Sequence, residues 1–153
     1  MKREVIVSIC GQQFADGESS EPVEVVSSGV RYEKNGKTYI VYDEVVSEGI
    51  EDSGEINVDG EAESENIVKN TIRIDGKQMD LIKHGEGGTH LVFEEGQSNH
   101  TYYHTPYGSM AVTLHTSKLA INLDEESIDA VAEYDLEINH TQIAECMVTI
   151  RVK

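Results

Sequence analysis

Three residue classes in this sequence carry chemistry worth testing: histidine, cysteine and tyrosine. His100, His104 and His115 share one face if residues 98–116 form a hairpin. Zinc needs ligand nitrogens about 2.0–2.1 Å away. His100 and His104 would lie roughly 13 Å apart on one strand at ~3.3 Å per residue, so they cannot share an ion unless a third element folds over them. The expectation is solvent-facing histidines, with no metal and no other cofactor. Cys146 alternates in phase with apolar neighbours, which predicts a buried, inert thiol, and Cys10 sits in no catalytic motif. There is no Gly-x-Ser-x-Gly elbow. The loop Gly85-Glu86-Gly87-Gly88 lacks the Lys-Ser/Thr pair and the following helix of a phosphate cradle. On motifs alone, the chain is not expected to be an enzyme.

The tyrosines are the stronger lead. Tyr32, Tyr39, Tyr103 and Tyr134 each fall in phase with the apolar residues of their strands. A buried tyrosine needs a hydrogen-bond partner for its hydroxyl. Inside a small barrel the four could line a pocket for a small, mostly apolar ligand, or fill the interior and bond one another. If the barrel is filled, the alternative is a protein partner met through an exposed edge or through the acidic segment 47–65.

The elements that would position these side chains are all strands. In 98–116, Thr105-Pro106-Tyr107-Gly108 is a turn: proline presets φ and glycine lets the chain leave without a Cβ clash. Pairing Thr105 with Gly108 sets Tyr103 against Met110, Asn99 against Leu114 and Ser98 against His115. Asn35-Gly36 is a type I′ hairpin signal between 23–34 and 37–46. It sets Tyr32 against Tyr39 and Val30 against Val41 on one face, with Arg31, Glu33, Thr38 and Ile40 on the other. A further hairpin turns over Asp75-Gly76, and Arg73 in its first strand faces out. A short separate strand carries Leu119, Ile121 and Leu123. The last pair, 128–138 and 144–152, aligns Leu136 with Ala144, Tyr134 with Cys146 and Ala132 with Val148. A three-residue connection, Asn139-His140-Thr141, keeps both apolar sets on one side. Residues 4–14 make the first strand, able to pair with the last. No segment keeps a 3.6 period, so the fold class is all-β: a single antiparallel barrel of about eight to ten strands.

Composition narrows the partners. The 153 residues hold 29 Asp and Glu against 12 Lys and Arg, a formal net charge of −17. Phosphate backbones and anionic lipid draw affinity from Lys and Arg, so nucleic acid and membrane surfaces are disfavoured. No apolar run approaches the ~20 residues that span a bilayer. The first ten residues begin like a signal peptide, but the apolar run is short, is broken by Ser8 and lacks a small-residue cleavage site. The expectation is one cytoplasmic domain over 1–153, with free thiols and with 47–65 as a long acidic loop.

The chain also resembles a known family. The pieces are Gly29-Val30-Arg31-Tyr32, then Tyr39-Ile40-Val41-Tyr42-Asp43-Glu44, then Lys83-His84-Gly85 and Leu91-Val92-Phe93. They continue through Tyr103-His104-Thr105-Pro106-Tyr107-Gly108, Thr116 and the closing strand with Tyr134. This is similar to the YwiB-like uncharacterised bacterial proteins, a domain-of-unknown-function family. The resemblance implies an up-and-down, calycin-like (lipocalin-like) β-barrel and brings no activity with it. Where relatives carry arginine before the glycine, this chain has Lys83-His84-Gly85.

Overall fold

The computed structural model describes residues 2–15, 18–19, 21–46, 66–85, 88–105 and 107–153. The acidic segment 47–65, the centre of the 85–88 loop and Pro106 lie outside the described residues. The strands are β1 (Arg3–Ala15), β2 (Glu18–Ser19), β3 (Val23–Lys34), β4 (Lys37–Val46), β5 (Asn66–Asp75) and β6 (Gln78–Lys83). They continue with β7 (Thr89–Glu94), β8 (Ser98–Thr105), β9 (Gly108–Leu123), β10 (Ile128–Ile138) and β11 (Thr141–Val152). Ten of them form one antiparallel sheet in the order β7-β6-β5-β4-β3-β1-β11-β10-β9-β8, and the two-residue β2 adds to β1. The sheet curls into a nearly closed up-and-down barrel. Its two end strands are joined by the 95–97 turn, where Gly96 N–H donates to Thr116 O and Thr116 N–H donates to Gln97 O, at 2.8 and 3.0 Å. Among the described residues no helix is long and apolar enough to cross a membrane.

The predicted ladders form with their predicted registers. Tyr103 lies opposite Met110 and Ser98 opposite His115. Tyr32 lies opposite Tyr39, Tyr134 opposite Cys146 and Ala132 opposite Val148. The first and last strands pair, with Val7 opposite Val152.

Three local expectations change. The last hairpin turns in two residues, Asn139 and His140, both at positive φ (50° and 69°). A bulge between Leu136 and Glu137 then restores the phase, so Leu136 still meets Ala144. The buried face therefore sets the register, and the strand absorbs the extra residue at Ile143, 49% exposed. Similarly, Leu119 and Ile121 belong to one long β9, and an irregularity near Glu133/Tyr134 keeps them facing in. The hairpin after β5 turns at Gly76-Lys77, closing on Asp75 and Gln78.

The core holds Val5 and Val7, Ile40, Ile72 and Ile74, Met79, Phe93, Leu114, and the inward set of β10 and β11. One end of this barrel is plugged by an arginine. Arg31 is 5% exposed. Its Nε donates to Glu33 Oε2 at 3.1 Å and its Nη1 to the Glu125 carbonyl at 3.4 Å.

Candidate functional site

Arg31 inside the barrel means that the β3–β4 faces are the reverse of those expected. Ile40 (0% exposed) and Thr38 (5%) face the core beside Arg31, and Tyr42 packs against it. Tyr32 and Tyr39 occupy the outer face, stacked with ring centroids 5.1 Å apart and planes 9° apart. The cause lies in neighbouring strands. Val5 is opposite Gly29 and Ile40 is opposite Ile72. The unambiguous apolar phases of β1 and β5 propagate through the ladders and override the larger rings of Tyr32 and Tyr39. Gly29 makes the inward contact possible, since a Cβ there would meet the Val41 carbonyl at 2.8 Å and Tyr42 Cβ at 3.1 Å.

The four tyrosines are thus not brought together. Tyr134 faces the interior, edge-on to Phe93 with centroids 5.0 Å apart. Its hydroxyl donates to the Cys146 thiol; burial, then that neighbour, pushes its pKa well above the usual phenol value. Burial likewise raises the Cys146 thiol. Tyr103 is inward-phased but sits near the far end, 42% exposed. The interior tyrosine missed from the sequence is Tyr42, whose pKa is pushed up to about 12 by burial and then by Glu44. Glu44 is held by Asn70 Nδ2 at 3.2 Å and by Lys83 Nζ at 3.4 Å. The barrel axis itself is filled by Phe93, Met79, Ile40 and Ala132, all at 0% exposure.

A large open space lies on the outer face. A groove of about 1210 Å³ crosses the outer face of β1, β3, β4 and β5. Its apolar lining includes Ile6, Val30, Val41 and Tyr32. Ile6 is 52% exposed. Lys2, Lys34, Lys69 and Lys153 also line it, against Glu4, Glu33 and Asp43. Lys2 Nζ stands 5.9 Å from the Tyr32 ring centroid, within cation–π reach. In a chain of net charge −17 this patch carries a local excess of positive charge.

A polar knot marks the outer face of β5–β7. Asp80, 1% exposed, accepts from Arg73 Nη2 at 2.6 Å and Gln78 Nε2 at 2.9 Å, and pairs with His90 Nε2 at 2.7 Å. Burial alone would raise its pKa, but these donors together hold it below the usual carboxylate value. Arg73 faces out, as expected. Among the described residues, no three His, Cys, Asp or Glu side chains converge as metal ligands.

Comparison with known proteins places this scaffold. The family model described as "Domain of unknown function (DUF1934)" matches residues 7–150. The chain belongs to that family. Its fold is similar to the crystal structure of the ywiB protein from Bacillus subtilis, with a TM-score of 0.78 at 19% identity. That match covers 99% of this chain and 92% of the other. No curated protein matches. Family membership therefore fixes the DUF1934 barrel and leaves its activity to be read from the surface. The groove lysines escaped the sequence reading because they sit on separate strands and termini, with no local spacing to signal a patch. Tyr42 escaped because the phase of β4 is set by β5, a partner that a hairpin reading does not include.

Proposed function

We propose that this protein is a binding module whose occupant lies across the outer groove. The observation that carries this is the contrast between a filled barrel axis and a lysine-rimmed external groove with an apolar lining. At about 1210 Å³ the groove exceeds the usual small-molecule range of about 300–1,000 Å³. The occupant is an extended segment of a protein partner with carboxylates beside aromatic or aliphatic side chains. The lysines meet the carboxylates, and Tyr32 with Ile6 meets the apolar groups. The remaining acidic surface repels such a segment, which biases it toward the groove.

The test uses two fluorescein-labelled peptides, one alternating Glu with Tyr and Leu, the other carrying Lys for Glu. Anisotropy should show the acidic peptide binding more tightly, with affinity falling as salt rises. Lys34→Glu with Lys69→Glu should weaken it by about tenfold or more, the worth of roughly 1.4 kcal/mol. Equal binding of both peptides, or an unchanged affinity in the double variant, would rule this reading out.

A second reading, a small ligand at the inner wall, has its own support. Thr116 is 2% exposed, and its Oγ1 has no partner, nor has the buried Nδ2 of Asn99. Both are inward-phased on β9 and β8, Thr116 directly opposite Tyr134. A buried polar atom left unpaired costs about 1–3 kcal/mol, so a polar ligand group there would be stabilised. Native mass spectrometry tests it: a bound small molecule that Thr116→Val removes supports the inner site, and a mass equal to the bare chain counts against it.

A further inference from the structure

Ser98, His115 and Glu137 form a relay across three adjacent strands. The Ser98 hydroxyl is hydrogen-bonded to His115 Nδ1, and His115 Nε2 lies 2.5 Å from Glu137 Oε2. We propose that Ser98 is the nucleophile of an acyl-transfer site on the outer face of β8–β10, with His115 as its base and Glu137 as the group that orients the base.

The sheet builds this arrangement. Thr105 and Gly108 close a two-residue hairpin loop, so they are a hydrogen-bonded pair, and such pairs then recur at every second position. Ser98 and His115 fall between them. Thr116 N–H donating to Gln97 O at 3.0 Å marks the neighbouring bonded pair. In a non-hydrogen-bonded pair the side chains lie closest, with Cα atoms about 4.5 Å apart. That brings Oγ to the ring. The next ladder places Asp135 opposite His115 and Glu137 opposite Thr113. Glu137 therefore reaches the ring from the diagonal position. The other outward groups beside it are Asp135 and His100, and His100 Nδ1 is bonded to Thr113 Oγ1 at 2.9 Å.

This order of contacts suits nucleophilic catalysis, which requires a hydroxyl on a base and the base on an orienting carboxylate. It needs no sequence motif, because the three residues are recognised by geometry. Ser98 is exposed, His115 is 42% exposed and Glu137 26% at the side chain, so the hydroxyl is open to a reagent. The alternation also turns the Ser98 main-chain N–H away from β9, toward the side of β8 where the sheet ends. In the proposed site that N–H is the donor that meets a developing oxyanion.

The substrate class is a small activated acyl ester. His115 Nδ1 takes the Ser98 proton as Oγ bonds to the acyl carbon. The C–O bond to the alcohol then breaks, and the leaving oxygen takes that proton from His115. Water reverses the sequence: its oxygen bonds to the acyl carbon as its proton passes to His115, the acyl–Oγ bond breaks, Oγ takes that proton back and a carboxylic acid leaves. Glu137 stabilises the imidazolium in both halves and remains ionised.

The experiment treats the intact protein with a fluorophosphonate and, separately, with p-nitrophenyl acetate. Peptide mass spectrometry then locates the modified residue. Ser98 should be modified by both, at least about tenfold faster than exposed Ser117, and His115→Gln should slow this about 100-fold, within the usual range for a general base. Glu137→Gln should slow it less and move the pH at which the rate reaches half its plateau, a change that loss of packing alone would not produce. All three side chains lie on the outer face, so thermal melting checks that the variants remain folded. Modification of Ser98 no faster than of Ser117, or an unchanged rate in folded His115→Gln, would overturn the proposal.

Discussion

Two outer-face clusters pair an imidazole with a carboxylate, and they differ in which group is enclosed. On β5–β7, His90 Nε2 lies 2.7 Å from Asp80. On β9–β10, His115 Nε2 lies 2.5 Å from Glu137. Asp80 has 1% side-chain exposure and three donors around it, whereas Glu137 has 26%. In the first cluster the carboxylate is the hub and His90 is one of its satellites. In the second the imidazole is the hub, holding a hydroxyl on one nitrogen and a carboxylate on the other. An enclosed anion with every partner fixed is a structural lock, because breaking it strands charge. An open imidazole with a serine on its second nitrogen can pass a proton.

The comparison breaks most sharply at the carboxylates. Asp80→Asn should cost about 3 kcal/mol in urea unfolding, because a buried charge cluster loses its centre. Glu137→Gln should stay within about 1 kcal/mol, the scale of an exposed pair. Equal losses would erase the distinction.

The acid limb comes next. Asp80 titrates below its unfolded value in the folded chain, so the unfolded state binds more protons over that window. Its contribution is present above the unfolded value, about 3.9, and is lost as pH falls through the folded value. Asp80→Asn should flatten that part of the stability–pH curve, and an unflattened curve would show that Asp80 is not the linked group.

The histidines sharpen the contrast with a smaller effect. His90→Gln should destabilise by about 1 kcal/mol through the lost hydrogen bond to Asp80, and His115→Gln by less, as melting curves of the two would show. Smallest of all, Ser98→Ala should change stability by no more than about 0.5 kcal/mol, as at surface sites generally, while removing the reactive hydroxyl. A larger loss would make the serine part of a lock after all.

Much of the fold was legible from residues alone. Asn35-Gly36 and the Thr105–Gly108 turn set two registers, and the alternation from Ile128 to Ile138 set a third. Less of the candidate sites was legible. Ser98 could be placed opposite His115, but Glu137 joins them only through the β9–β10 ladder. No sequence pattern singles out Asp80, which becomes a hub only where Arg73, Gln78 and His90 close over it. Tyr32 and Tyr39 gave the wrong face because their size mimics a core pattern.

The sequence by itself determined the strands, most turns and which residue meets which across three of the hairpins, because these depend on local φ preferences and a period of two. Only the tertiary structure decided which side of β3–β4 is buried, what plugs the barrel and which side chains gather on its outside. Those outcomes are set by strands that are neighbours in space and distant in the chain, and one hairpin's alternation carries no information about the phase of the next.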